Sequence, residues 1–214
     1  ATRWRDILIT EYHASEAIHA KAFPAAETRL IERGGRYFLE SKRFDRTGEY
    51  GRLPMISLQV VDAEFSGMGE GWPAAMEALH KQKRVSWQHL YDAAVLWCFG
   101  MFINNTDMHL GNLSLGIEGD VFRILPVYDM CSMGFAPKVS EVQPYQFKVP
   151  NLQSPPLNGN SYPEIINVAS EMASDFWDRV ARDSRISDDF RKFLKKGNPI
   201  KIANEVENGQ MKLL

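Results

Sequence analysis

The stretch INNTDMHLGN, residues 103–112, decides how the chain is read. Ten positions hold Asn104, Asn105, Thr106, Asp107, His109 and Asn112. Short polar side chains of this kind compete with the backbone for hydrogen bonds, so a helix interior disfavours them. No two-residue alternation marks a strand either. The stretch therefore reads as a loop. The segment before it, WQHLYDAAVLWCFGMFI at 87–103, is apolar on nearly every side, as a central buried helix is. The segment after it, LSLGIEGDVFRILPVYD at 113–129, has hairpin character, with Glu118-Gly119-Asp120 as its turn. A buried helix thus delivers the loop, and a hairpin returns the chain to Asp129.

Asp107, Asn112 and Asp129 offer hard oxygen donors, which suit Mg²⁺ better than a thiolate-loving metal. Two acidic groups and an amide around a divalent ion make a phosphoryl-transfer arrangement. One aspartate orients or deprotonates the attacking hydroxyl, while the asparagine and second aspartate hold metal against phosphates. The plain alternative is that Asn, Asp and Thr form turns and cap helices; the spacing leaves both readings open. His109 has no cysteine partners nearby, which argues against zinc and for a structural or phosphate-facing imidazole. GMGEG at 67–71 lacks the frame of a nucleotide-binding phosphate loop and reads as a connector.

Working outward, residues 4–19 read as a helix with Trp4, Leu8 and Tyr12 four apart and Ile7 and Ile18 near the same face. AETRLIERGGRYFLES, 26–41, reads as two strands about Gly34-Gly35, and KRFDRTGEYGR, 42–52, as a charged segment containing a small candidate basic patch. A short helix is expected in 56–65, and further helices at 73–83, 163–182 and 188–196. A last short helix is expected after the GNP at 197–199. His13, His19, His80 and His89 read as surface or satisfied core groups.

The chain has 214 residues, 44% hydrophobic and 24% charged, in the ordinary range for a soluble globular protein with one core or two small lobes. A net charge of −2 gives no support for direct binding to nucleic acid or an acidic membrane. No apolar stretch is long enough to span a bilayer. Cys98 and Cys131 are the only cysteines, no disulfide framework is visible, and a reducing, cytoplasmic compartment is expected.

Taken in order, LESKRFDR, FINNTDMHLGNLSL and RILPVYDMCS, spanning 39–132, resemble the HipA-like kinases, bacterial Ser/Thr kinases often found as toxins of toxin–antitoxin pairs. The resemblance implies a mainly helical fold with a small β element, the C-terminal lobe of a protein-kinase-like α+β fold. Residues 1–56 would be a helix, a hairpin and the interlobe segment, and 57–214 the catalytic lobe. Asp107 matches the catalytic aspartate, and Asn112 and Asp129 the Mg²⁺-holding pair. His109, Leu110, Gly111 and Tyr128 match positions lining the nucleotide, and Lys42, Arg43 and Phe44 fall where the interlobe segment approaches adenine. Lys42 stands where a glutamate is more usual.

The implied cofactors are ATP and Mg²⁺, and the implied partners are a protein substrate with a Ser or Thr acceptor and a small helix-turn-helix antitoxin. The family's phosphate-binding loop and ATP-contacting lysine precede the first helix, so the chain is expected to be the C-terminal part of a longer kinase and inactive alone. A small-molecule kinase and an inactive interaction module are the competing readings.

Overall fold

The computed structural model describes residues 2–137, 144–147, 162–198 and 200. Helix α1 (Thr2–Ala20) leads into the antiparallel hairpin β1 (Thr28–Arg33) and β2 (Arg36–Ser41), turned at Gly34-Gly35. A second small pair, β3 (Arg46–Thr47) and β4 (Gly51–Arg52), precedes β5 (Ile56–Ser57) and helix α2 (Leu58–Phe65). Helices α3 (Trp72–Lys81) and α4 (Trp87–Phe102) follow, then β6 (Ser114–Glu118) and β7 (Val121–Ile124), which join β5 in a sheet of order β5-β6-β7. Helices α5 (Tyr162–Arg182) and α6 (Asp188–Leu194) complete the described elements. The fold is thus mainly helical with small antiparallel sheets, as the sequence implies. The helix expected after residue 199 lies outside the described residues.

Helix α4 is the core. The Ser86 side chain caps it by accepting from the His89 N–H. Its Leu90, Ala93, Val95, Leu96 and Phe99 are buried, and Leu96 and Phe99 are fully so. Helix α3 packs on one side and α5 on the other. The buried face of α5 is Ile165, Ala169, Met172, Ala173, Phe176 and Val180, at the three- and four-residue spacing of an amphipathic helix. Phe176 meets Phe99 edge to face with ring centroids 6.0 Å apart. Trp177 donates its indole N–H to the Phe102 carbonyl at 3.1 Å, satisfying an orphan acceptor at the α4 terminus. Two elements differ slightly from expectation. Helix α3 opens at Trp72, one residue before the expected start, with proline suited to its first turn, and ends at Lys81, two residues before the expected end, while Ile56 and Ser57 pair as a strand before α2 begins.

The inner face of α1 buries Ile9 and, as the spacing implies, Ile7 and Ile18, but it leaves Trp4 outside. Trp4 is 49% exposed, and the buried positions include Asp6, Thr10, His13, Ala14 and Ala17. Small and polar groups face inward because each has a partner. Asp6 accepts from the N–H and hydroxyl of Ser187, the residue that caps α6. The Thr10 hydroxyl bonds the Ile7 carbonyl and receives the Ser132 N–H. His13 Nε2 lies 2.8 Å from Asp183. The thiols of Cys98 and Cys131 are buried, and burial pushes Cys98 up to about 12.

Two predictions follow from this packing. Gly100 faces Met108, and a Cβ there would overlap the Met108 sulfur. Gly100→Ala should therefore gain less in denaturant unfolding than the roughly 1 kcal/mol expected for Gly→Ala in a helix, because the flexible end of Met108 must move aside; the full gain would disprove the close approach.

The His13–Asp183 pair supplies the second. Burial, with the positive charges of Arg185 and Arg179, lowers the His13 pKa against the opposing pull of Asp183, so the native imidazole stays neutral where the unfolded one takes up a proton. Burial works to raise Asp183, but its bonds from Arg185 and His13 outweigh that and hold it at about 2. Both shifts cost stability as pH falls, His13 first, through the ordinary histidine range, and Asp183 only below the ordinary carboxylate range. The unfolding free energy of the parent minus that of His13→Gln should shrink between pH 7.5 and 5.5. A difference constant over that window would show that His13 is not the group responsible.

Candidate active site

The polar loop begins with how α4 stops. Asn104 adopts a left-handed conformation (φ +60°), its N–H bonds the Met101 carbonyl at 3.1 Å, and the Asn105 N–H bonds the Gly100 carbonyl at 2.9 Å. This is a Schellman ending with asparagine where glycine is commonest, and asparagine is among the few side chains that tolerate it. The Asn104 carbonyl then accepts from the Gly134 N–H at 2.9 Å, drawing the later segment 133–135 against the loop.

Asn105 joins the two limbs of the site. Its Oδ1 accepts from the Asp107 N–H at 3.1 Å and its Nδ2 donates to the Asp129 carbonyl at 3.3 Å. Asn112 Nδ2 donates to the Asp107 carbonyl at 2.8 Å, a bond that leaves its own oxygen unused. A short 3₁₀ turn at Leu110–Asn112, capped by His109 Nδ1 accepting from the Gly111 N–H, leads from this loop into β6. Strands β6 and β7 then carry the chain out and back to Asp129. Asp107, Asn112 and Asp129 are thereby brought together.

Asp129 itself has φ +55°, a left-handed conformation uncommon outside glycine that aspartate tolerates and its surroundings hold. Helix α1 imposes part of it, since the Asp129 N–H donates to Glu11 and Thr10 holds the Ser132 N–H. The Asp129 carboxyl opens to solvent on one side, yet burial raises its pKa, the negative charge of Asp107 raises it further, and His109 opposes both. Burial and the charge of Asp129 likewise push Glu11 up to about 7, although the Asp129 N–H partly offsets them. His109 Nε2 stands 4.0 Å from the Asp107 carboxylate, and the His109 carbonyl is fixed by the Trp72 indole at 2.9 Å.

The nucleotide-side residues divide into two groups. The Ala26 N–H bonds the Val127 carbonyl and the Val127 N–H bonds the Pro24 carbonyl, so the segment before β1 lies along the one that carries Tyr128. The Phe44 ring lies 6.1 Å from that of Tyr128, whose hydroxyl meets Ser114 at 3.0 Å. Leu110 packs on the core, and Gly111 has no room for a Cβ beside the His109 ring. Lys42 and Arg43 instead turn to acidic neighbours at the surface, Lys42 to Glu27 at 3.0 Å and Arg43 to both oxygens of Asp45. Within the basic patch read from KRFDR, Lys42 therefore meets Glu27 while Arg43 and Arg46 share Asp45.

Asn105, Glu11 and Trp72 are the site's supporting residues that the sequence does not single out. Asn105 looks like any turn former, and Glu11 like a helix surface residue far along the chain. Among the described residues no three His, Cys, Asp or Glu side chains gather as a metal cluster. The oxygens that do gather are two mutually repelling carboxylates and an amide. That donor set fits a hard divalent cation such as Mg²⁺ that brings further oxygen ligands of its own.

Comparison with known proteins shows the family and the fold. The model of the HipA-like C-terminal domain matches residues 2–196. Toxin YjjJ of Escherichia coli K12 is 38% identical over 191 residues, which cover 88% of this chain but 42% of that protein. Two solved structures share the fold. One is the HipA, HipB and operator DNA complex of the Shewanella oneidensis toxin–antitoxin system, with TM-score 0.53, 16% identity and coverage of 86% of this chain and 49% of that one. The other is the Helicobacter pylori proinflammatory kinase CtkA, with TM-score 0.57, 14% identity and coverage of 92% and 80%. The chain spans less than half the length of the toxin it resembles in sequence. With a family model covering nearly all of it and a kinase-like fold shared with both solved structures, this chain belongs to the HipA-like C-terminal domain family.

Proposed function

We propose that this chain is the catalytic C-terminal part of a kinase that transfers the γ-phosphate of ATP to a Ser or Thr hydroxyl of a protein, acting as the toxin of a toxin–antitoxin pair. One observation carries the reading: a single amide, Asn105, ties the Asp107 backbone to the Asp129 backbone, so that two carboxylates share one cleft with Asn112. Asp107 orients the acceptor hydroxyl and takes its proton as the oxygen bonds to the γ-phosphorus and the bond to ADP breaks. Asn112 and Asp129 hold Mg²⁺, which supplies neutralising charge to the phosphates when bound with the nucleotide.

Glu11 and Thr10 hold the Asp129–Ser132 backbone in place. Phe44 and Tyr128 offer an aromatic wall for adenine, with His109, Leu110 and Gly111 along the phosphates. Lys42 and Arg43 close the interlobe edge through Glu27 and Asp45, nearer the rim than the base. Residues 1–56 form the interlobe part and 57–214 the catalytic lobe. A phosphate cradle and a cationic side chain come from a further segment of the full-length protein. The HipB-bound Shewanella structure supports a small antitoxin partner that supplies contact with DNA, which a net charge of −2 does not favour here.

In the full-length protein, Asp107→Ala should lower phosphate transfer on the order of 10²–10⁴-fold in a radiolabelled-ATP assay, with an unchanged unfolding transition. Undiminished transfer would remove Asp107 from its role. Residues 1–214 alone should transfer negligibly, because the phosphates lack the rest of their cradle.

Asn105→Ala tests positioning rather than chemistry. It should cut kcat about 10²-fold, as small misplacements of reacting groups do, while KM for ATP changes little. A rise in KM with kcat intact would mean that Asn105 serves nucleotide binding and not alignment.

A further inference from the structure

A cavity of about 440 Å³ opens away from the cleft, between the end of α3, the first turn of α4 and the far end of the β6–β7 hairpin. His80, Lys83, Ser86, His89 and Arg123 line it, with Glu118 as its one acidic group. The walls are firmly tied. Val85 bridges Phe122 in parallel, and the Phe122 N–H bonds the Arg84 carbonyl at 2.7 Å.

Lys83 occupies an unusual place. It is the left-handed residue (φ +60°) that ends α3, with its N–H on the His80 carbonyl and the Arg84 N–H on the Leu79 carbonyl. Glycine suits this position best, so a lysine here keeps a charged side chain at a conformational cost. Strain of this kind points to a use for the side chain. The neighbouring groups point the same way. His80 spends Nδ1 on the Val85 carbonyl, which leaves Nε2 as its available ring nitrogen. His89 Nδ1 is buried without a hydrogen-bond partner among the described residues. Glu118 lies 2.6 Å from Arg123 and matches its charge, so Lys83 carries the unmatched positive charge and the two imidazoles add ring nitrogens for hydrogen bonds. The rim is apolar: Val121 is 44% exposed and Trp87 43%.

We propose that this cavity is a docking site for an acidic, leucine-bearing segment of a protein partner. The basic floor takes a carboxylate and the apolar rim takes the adjoining side chain, a rim for which a free inorganic anion has no use. Its place in the fold gives docking a consequence. Strands β6 and β7 connect the cavity to Asn112 and Asp129, each six residues from Glu118 or Arg123, roughly 20 Å along the chain at about 3.3 Å per residue. Helix α4 connects it to the loop of Asp107, roughly 24 Å along its 16 residues. A partner held here keeps a neighbouring segment at high local concentration beside the cleft. That consequence rests on the phosphoryl-transfer reading, whereas the binding itself does not.

The test is fluorescence anisotropy of a fluorescein-labelled Asp-Glu-Asp-Leu-Glu-Leu peptide with the full-length protein, without nucleotide. The peptide should bind, and its Lys-for-acid counterpart should not. Lys83→Gly removes the charge and relieves the left-handed strain, so the variant should fold at least as well while its Kd rises tenfold or more. His89→Gln should weaken binding further. Absence of peptide binding, an unchanged Kd in Lys83→Gly, or displacement by equimolar inorganic phosphate would each overturn the proposal, the last by reducing the cavity to a small-anion site. Because no transfer is measured, loss of docking and loss of kinase activity are told apart.

Discussion

Everything around the cleft depends on how α4 ends. A helix as buried as this one cannot leave its last carbonyls unbonded, and water is not at hand to satisfy them. The left-handed turn at Asn104 satisfies two of them, and the Trp177 indole takes that of Phe102. The same turn redirects the chain by a fixed angle, so that Asn105 faces across to the segment that carries Asp129. The helix terminus is therefore both a solution to a hydrogen-bonding problem and the fixture on which the site is mounted. Gly100 extends this economy one turn back, since its missing side chain is what lets Met108 lie against the helix.

The electrostatics of the cleft run against its own stability. Burial, then a neighbouring carboxylate, raises the pKa values of Glu11 and Asp129, the neighbour being Asp129 for Glu11 and Asp107 for Asp129. His109, 4.0 Å from Asp107, is the basic side chain whose pull on Asp129 is felt. Such an arrangement has unmet demand for positive charge. Sites where burial and like charges shift carboxylates in this way are more often functional than structural. Elsewhere among the described residues burial raises Asp6 and Asp92 with no neighbouring carboxylate adding to it, and the surface carboxylates Glu27, Asp45, Glu171 and Asp175 each have a basic partner.

Helix α1 shows a second way in which support is hidden. Its inward groups bind three separated stretches: Asp6 the cap of α6, His13 the end of α5, and Thr10 with Glu11 the segment after β7. Beside the buried Ile7, Ile9 and Ile18, alanines and short polar residues let the helix come close enough for these bonds, which tryptophan and tyrosine in their places would prevent. That is why Trp4 lies outward although its spacing with Leu8 and Tyr12 suggested a buried stripe. Periodicity reports apolar area, and α1 is held by specific hydrogen bonds as much as by area.

The sequence by itself determined the buried α4, the hairpin turned at Gly119, the helices that flank them and the short list of Asp107, Asn112 and Asp129. These are local properties: hydrophobic period, turn residues and the order of motifs are written within a few positions of one another. Only the tertiary structure decided that Asn105 joins Asp107 to Asp129, that Glu11 holds Asp129 from a distant helix, and that Phe44 meets Tyr128 while Lys42 and Arg43 turn to Glu27 and Asp45. An asparagine in a polar loop and a glutamate on a helix carry no mark of what they touch. Partners far apart in sequence come together only through packing, and the bonds they then make depend on ångström-scale distances that composition and spacing do not encode.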